Sequence, residues 1–553
     1  MRTSITIGLL TLVAFLLAAV RINHGLVESA LPPGQGMTLD EGFNIQQGVY
    51  VFEACWKHGP LILTPSAAKS VFGDPQYLAD HPPLVRVVLG FFHQVFRAAV
   101  PGSEDAFYNV PAARLGSCFL FAMTVLLLTE FTRRRYGLQT AVIAAVLLML
   151  MPRVVGHARV AAQETGTSLA WLAAVIPLLT WWTADRPPTT KQALVSGLLW
   201  GILLSSKVQG ILLPPVVFVW AVWQHRLRAI RPLIVWTVVG CVVFFVGWPW
   251  LWLDPVANTL KYLGRTTERP VLYVWYFGER FADRAVPWHY PFVMTGVTLP
   301  VCVLFGLLLR CCQRTFDRSE ILLAATSVWP LIVFAIPGVP VYDSTRLYLV
   351  VMPGFALLAA RGLMLAIRSE AGLFRRPAAR GTCVVLMVCL ALAAVPAVTA
   401  NTSLCSYNQL VGGPAGAQWC GLEADFWTCG LNTEFWEQVP QNLALVAAPV
   451  THPTQLAFLQ TCVPIIQQRG LRLESFQYDP DRQRGLVLLM HRLADLPPMY
   501  RSAPPGADIV AERQEDGVVL AQVIDNTQHT WPPSPNWPGD PDPPDVPSAS
   551  PTD

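Results

Sequence analysis

Long apolar stretches recur along this chain as far as residue 399, near 4–20, 107–128, 138–152, 166–182, 193–206, 209–223, 233–248, 291–309, 321–337, 346–366 and 381–399. Lipid offers the backbone no hydrogen-bond partner, so only helices and closed barrels cross it, and a hydrocarbon core about 30 Å thick takes roughly 20 apolar residues as a helix. The pattern predicts an α-helical polytopic membrane protein with about eleven transmembrane helices; the pair flanking Lys207 also reads as one kinked span. Composition agrees, since 53% hydrophobic and 14% charged residues are too apolar for a soluble enzyme of this size. A net charge of +3 with no long basic block gives nucleic-acid binding no electrostatic support. The first run, preceded by Arg2, has the form of a signal peptide or of an uncleaved helix, and the many later spans favour the helix.

Charge between the spans assigns their direction. "RRRYG" at Arg133–Gly137, "HRLRAIR" at His225–Arg231, "RCCQRTFDR" at Arg310–Arg318 and "RSEAGLFRRPAAR" at Arg368–Arg380 fall on one side when eleven spans are threaded. An excess of Lys and Arg marks the cytoplasm. The expectation is therefore a multi-pass plasma (inner) membrane protein. Its long loops at about 21–106 and 249–290, the short ones near Glu164, Lys207 and Asp343, and everything past 400 face outward. Inside the first loop, "HPPLVRVVLGFFHQVFRAAV" keeps Arg86, Gly90, His93 and Arg97 on one narrow face, the pattern of a helix lying in the interface; a crossing helix is the alternative and reverses every later loop. The domain reading is 1–400 membrane region, 401–530 small extracytoplasmic α/β domain and 531–553 proline-rich disordered tail. "NLALVAAP", "LRLESF" and "RGLVLLMHR" read as strands, "THPTQLAFLQTCVPIIQQRG" as a helix, and "ADIVAERQEDGVVLAQVI" as a hairpin turning at Asp516-Gly517. Cys405, Cys420, Cys429 and Cys462 fall in this polar region, where an oxidising compartment would allow two bridges in any of three connectivities.

Charged groups near hydrocarbon are costly and stand as functional candidates. On the outer side these are Asp40 and Glu41, His81, Arg153, Arg159, Glu164, Lys207, Arg265, Glu279, Arg280, His289, Asp343 and Arg346. Carboxylates and cations gathered beside a membrane are the set needed to hold a phosphate and deprotonate a hydroxyl. Each also has a plain structural reading: Asp40 and Glu41 as solvated loop charge, Lys207 as a snorkelling side chain, Arg346 paired with Asp343 or lipid phosphate, His81 as a helix-entry residue. The aromatics of "GWPWLWLDP" and "VLYVWYFGERF", Tyr276 among them, form an interfacial belt or a sugar-stacking surface.

Their order along the chain is more telling than any one of them. An acidic pair in "TLDEGFNIQQGVY", a His-Pro-Pro in "ADHPPL", an acid after the third span, a Lys in "GLLWGILLSSKVQG" and "YDSTRLYLVVMPGFALLAARGL" late in the membrane region resemble the GT-C glycosyltransferases. The succession is most similar to the bacterial branch related to protein O-mannosyltransferases and lipid A aminoarabinose transferases. The resemblance implies an enzyme that takes a sugar from a polyprenyl-phosphate carrier to a hydroxyl of a protein, glycolipid or envelope polymer. It implies a catalytic role for Asp40, with Glu41 beside it, and places His81 near the donor; we further expect Glu41 or Glu164 to support catalysis and Lys207 and Arg346 to bind the donor phosphate. Substrate contacts are expected at Arg159, Tyr276, Glu279, His289 and Asp343. No cofactor is required on this reading, although a divalent metal is compatible with it. The Gly-Lys that follows His-Pro-Pro in the mannosyltransferases is absent, Glu164 stands where many relatives carry Asp, and the extra sugar-binding modules of the eukaryotic enzymes are missing. A transporter or lipid-linked sugar flippase is the alternative, and it predicts charges at the bilayer midplane and two related halves.

Overall fold

The computed structural model describes residues 2–23, 32, 34–38, 40–100, 109–268, 271–313, 315–368, 376–427, 429–440, 444–447, 472–474, 486–496, 501, 503 and 506–525. The helices are α1 (Arg2–Ala19), α2 (Glu41–His58), α3 (Pro65–Phe72), α4 (Leu84–Phe96), α5 (Val110–Tyr136), α6 (Leu138–Met149), α7 (Pro152–Ala158), α8 (Gln163–Pro177) and α9 (Thr190–Leu204). They continue as α10 (Leu213–His225), α11 (Ile230–Gly247), α12 (Trp250–Leu253), α13 (Pro255–Glu268), α14 (Tyr290–Thr298), α15 (Val301–Cys311), α16 (Arg318–Phe334), α17 (Met352–Arg368) and α18 (Pro377–Thr399).

Every apolar stretch of the sequence overlaps one of these helices. Among the described residues five helical segments are long and apolar enough to cross a membrane, or up to seven if each sharply bent pair is one span. The bent pairs, α6 with α7 at 73° and α14 with α15 at 115°, break where Pro152 and Pro300 remove backbone donors. The 40-residue segment Val208–Gly247 is about twice as long as a bilayer core requires. A one-turn 3₁₀ segment at Arg226–Ala229, opened by Arg226 at φ 54°, separates its halves.

The first loop folds as a clamp. α2 and α4 cross with their backbones touching: a Cβ on Gly90 would lie 2.1 Å from the carbonyl oxygen of Gly48, and one on Gly48 would lie 2.2 Å from that of Arg86. At 13 residues, α4 is about 20 Å long, too short to cross a bilayer core. The narrow face read from the sequence turns inward except at Arg97, which is exposed. Arg86, Gly90 and His93 are buried, while Leu84, Phe91 and Val95 are exposed. Arg86 pairs with both oxygens of Asp80 and donates to Asn44 at 3.0 Å, and His93 Nε2 accepts the Asn109 N–H at 3.0 Å.

A two-stranded ribbon, β1 (Tyr273–Tyr276) and β2 (Glu279–Ala282), precedes α14. After α18 come α19 (Gly413–Trp419), α20 (Thr433–Trp436) and strands β3 (Ala444–Ala447), β4 (Arg472–Glu474), β5 (Leu486–Met490), β6 (Asp508–Glu515) and β7 (Val518–Asp525). These pair in the order β4-β3-β5-β7-β6, the first three parallel and the rest antiparallel. The hairpin turn has Asp516 at φ 47° and Gly517 at φ 79°, the two positive values that a tight turn between twisted strands needs. The segment read as a helix at 451–470 and the tail at 531–553 lie outside the described residues, as does Cys462. Cys405, Cys420 and Cys429 are present as thiols; Cys420 packs against the main core.

Candidate functional site

Asp40 and Glu41 are adjacent in sequence and part company in the fold. Glu41, the first residue of α2, is fully buried. Arg114 of α5 reaches it with paired bonds, Nε to Oε1 at 2.7 Å and Nη2 to Oε2 at 2.6 Å. The backbone N–H groups of Ala161 and Thr38 add 2.7 and 2.8 Å bonds to the same two oxygens. Arg114 spends its remaining hydrogens on the carbonyls of Ile22, Gln35 and Gly36. This knot ties α2, α5 and the chain entering α8 together.

Asp40 turns the other way. Its side chain is 32% exposed and its Oδ2 accepts from Arg346 Nη2. Arg346 distributes its other donors to two more carboxylates: Nε to Glu164 Oε1 at 2.8 Å and Nη1 to Asp343 Oδ2 at 2.9 Å. A tight turn places Asp343 beside it, with Asp343 and Ser344 at φ 53° and 57°. Glu164 lies in the first turn of α8, where unpaired N–H groups favour an anion. Its Oε1 also takes Lys207 Nζ at 2.5 Å, from an extended residue (φ −167°, ψ 161°) in the break after α9. Glu164 Oε2 is buried with no hydrogen-bond partner among the described residues, an acceptor left for a hydroxyl, a water or a cation.

His81 faces the same group, within the fields of Asp80, Arg86, Lys207 and Glu164. Burial pushes its imidazole down to about 3, so at neutral pH the ring carries no charge. It offers a hydrogen bond rather than a cation. Its Nδ1 is buried and unpaired among the described residues.

The C-terminal segment closes over this cluster. Trp427 lays its ring 4.2 Å from the Arg346 guanidinium and donates Nε1–H to Asp343 at 3.0 Å. Arg492, just past β5, donates Nη2–H to Asp343 Oδ1 at 3.1 Å and Nη1–H to the Phe426 carbonyl at 2.8 Å, and pairs with Asp495 at 2.8 Å.

Residues 80–252 match the family model described as dolichyl-phosphate-mannose-protein mannosyltransferase. That stretch is similar to this family. The matched stretch is less than half of the chain and includes His81, Glu164 and Lys207 but neither Asp40 nor Arg346. No curated protein matches the chain. Similar solved structures include ArnT from Cupriavidus metallidurans in the apo state, with TM-score 0.48, 13% identity and coverage of 94% of this chain and 97% of that one. The same protein bound to undecaprenyl phosphate gives TM-score 0.47, 12% identity and the same coverage. The archaeal oligosaccharyltransferase AglB from Archaeoglobus fulgidus, in complex with an inhibitory peptide and a dolichol-phosphate, gives 0.42 and 11%, covering 83% of this chain and 63% of that one.

The residues expected at a site divide into two groups. Asp40, Glu164, Lys207, Asp343 and Arg346 form one connected cluster, with His81 beside it. Glu41 is drawn instead into the Arg114 knot, where its oxygens already take four hydrogen bonds. Arg159, expected to contact substrate, is buried and bonds the Ala400 and Leu17 carbonyls and Ser403 Oγ, fastening α1 to the end of α18. Tyr276 OH and His289 Nδ1 share a 2.7 Å hydrogen bond. The next residue, Tyr290, accepts the Ser344 N–H at 3.1 Å, which places that pair behind the Asp343 turn. Glu279 is exposed at the start of β2.

Three residues of the arrangement escaped the sequence reading: Arg114, Trp427 and Arg492. A lone Arg inside an apolar span was the available signal for Arg114, because such a charge persists in hydrocarbon only with a partner. Trp427 and Arg492 belong to a segment of ordinary polar composition, and nothing local marks them.

Proposed function

We propose that this chain transfers a sugar from a polyprenyl-phosphate donor to an acceptor hydroxyl, of a protein, a glycolipid or an envelope polymer, at the outer face of the plasma membrane, with inversion at the anomeric carbon. The observation that supports this best is Arg346, one guanidinium shared by the carboxylates of Asp40, Glu164 and Asp343, with Lys207 on the same Glu164 oxygen. The donor is a phosphodiester with one negative charge, and the phosphate monoester that departs gains a second. Lys207 and Arg346 therefore bind the leaving phosphate more strongly as the glycosidic bond breaks, which is the differential stabilisation that lowers a barrier.

Asp40 is the most exposed of the three carboxylates on Arg346 and the one a donor phosphate most readily displaces. Once released, it accepts the proton of the acceptor hydroxyl as that oxygen attacks the anomeric carbon from the face opposite the phosphate. Glu164 stays on Lys207, and its unpaired Oε2 orients the acceptor. Lys207 and Arg346 supply the positive charge a divalent ion would bring, so transfer proceeds in the presence of a chelator.

The test is to present the purified protein with a panel of polyprenyl-phosphate sugars and follow release of polyprenyl phosphate. Consumption of one donor by the parent chain and not by Asp40→Asn is expected. Equal consumption by both removes Asp40 from the mechanism, and donor carried across a bilayer without release of polyprenyl phosphate replaces transfer with transport.

A further inference from the structure

A second cluster of reactive side chains lies on the far side of Trp427. Cys405 closes the 3₁₀ turn Ser403–Cys405, immediately after α18, and Cys429 lies in the turn that follows Trp427. Both are buried. Their Sγ atoms and a carboxylate oxygen of Asp425 all lie within 4.8 Å of one another. The surrounding wall is largely apolar, made by Val160, Ala162, Leu404, Phe426 and Trp427, with the Arg153 guanidinium over Phe426.

Two chemistries use a Cys-Asp-Cys cluster, a metal ion and a disulfide, and the surroundings separate them. Asp425 is already occupied: Oδ1 accepts the Trp427 N–H at 2.9 Å and the Cys405 thiol at 3.6 Å, and Oδ2 accepts the Gly430 N–H at 3.1 Å. It organises the 425–430 turn and has little left for a cation. A zinc ion here would find three ligands among the described residues where four are usual. A disulfide is neutral and suits the same wall.

We propose that Cys405 and Cys429 form a disulfide in the mature protein, which selects one of the three connectivities open to the four cysteines of this region. Each thiol gives up a proton and the pair gives up two electrons to an oxidant of the protein-disulfide class, which leaves as a dithiol. The bridge joins the end of α18 to the turn that presents Trp427, and Trp427 holds Asp343 and covers Arg346. Its function is to pin the wall of the proposed donor-phosphate site against the membrane helices. The inference rests on the outer-face reading, because thiols persist in the cytoplasm and pair in oxidising compartments.

To test it, membranes are denatured directly in excess N-ethylmaleimide, without reductant, and the digested peptides are analysed by mass spectrometry. A peptide pair linked through Cys405 and Cys429, two hydrogens lighter than the separate peptides, is expected. It disappears on reduction and in Cys405→Ser, and the double serine variant melts at a lower temperature. Both cysteines recovered as maleimide adducts, or stoichiometric zinc lost from the double variant, overturn the disulfide. A parallel arm places a cysteine at exposed Leu410 and labels intact cells with a membrane-impermeant maleimide. Free thiols with Leu410→Cys labelled above the parent background reject the bridge alone; free thiols with no such labelling reject the outer-face reading as well.

Discussion

The two carboxylates that open α2 differ in what surrounds them, and the difference separates a structural charge from a working one. Glu41 meets a single cation, Arg114, with both side chains excluded from solvent, and every lone pair in reach is answered from within the protein. Asp40 meets a cation that two other carboxylates also hold, at a position still open to solvent. A charge whose partners are complete can only hold the chain together. One that shares an oversubscribed partner can be exchanged for a ligand.

The largest effect expected from this contrast is at the buried knot. Arg114→Met or Glu41→Gln strands its partner and should cost about 3–5 kcal/mol of stability, read as a loss of melting temperature in detergent. Replacing both by apolar residues of similar volume should recover most of that loss, since a buried pair contributes little beyond compensating its own desolvation. If Glu41→Gln instead melts like the parent chain and abolishes transfer, the division between the two carboxylates is wrong.

The next effect lies in catalysis. Asp40→Asn should lower the transfer rate by roughly 10²–10⁴, the contribution of a positioned general base. Its effect on melting should stay within about 1 kcal/mol, as for a partly exposed ion pair. A large drop in stability for Asp40→Asn would make Asp40 a second Glu41.

Periodicity and local charge made the membrane helices and the cluster residues Asp40, Glu164, Lys207, Asp343 and Arg346 legible. Apolar runs of helical length announce themselves, and charges at their ends stand out against hydrocarbon. The division of labour between Asp40 and Glu41 was not legible, because it depends on which way each side chain leaves one helical turn and on Arg114, 73 residues away. Nor was the partner of the polar stripe of α4 legible: Arg86 and His93 form the same narrow stripe whether they face headgroups or protein. The backbone contact between Gly48 and Gly90 decides that, and two glycines 42 positions apart carry no periodic signal.

A smaller effect tests whether the C-terminal segment belongs to the site. Arg492 touches Asp343 and not Arg346, so it acts by keeping Asp343 in place. Arg492→Gln should weaken donor binding by roughly tenfold, the loss of one charge-assisted hydrogen bond acting at second hand, with the rate at saturating donor little changed. A fall in that rate with unchanged donor KM would place Arg492 in the chemistry instead.

The last effect is read against pH and concerns a third kind of carboxyl. Glu423 is buried, and its Oε1 accepts the Ala494 N–H at 2.9 Å. Burial, only partly opposed by Arg492, pushes its carboxyl up from 4.5 to about 8. The folded state therefore holds the proton more tightly than the unfolded state does. Its contribution to stability is complete below about 4.5 and is lost as pH rises through 8. Melting temperature should decline across that window, and Glu423→Gln, which keeps the shape without the charge, should flatten the decline. An unchanged slope in the variant would mean that Glu423 is ionised at neutral pH and that Arg492 serves it as Arg114 serves Glu41. The working and structural carboxylates would then be divided by solvent access alone, and Asp40 would keep its distinction on that ground only.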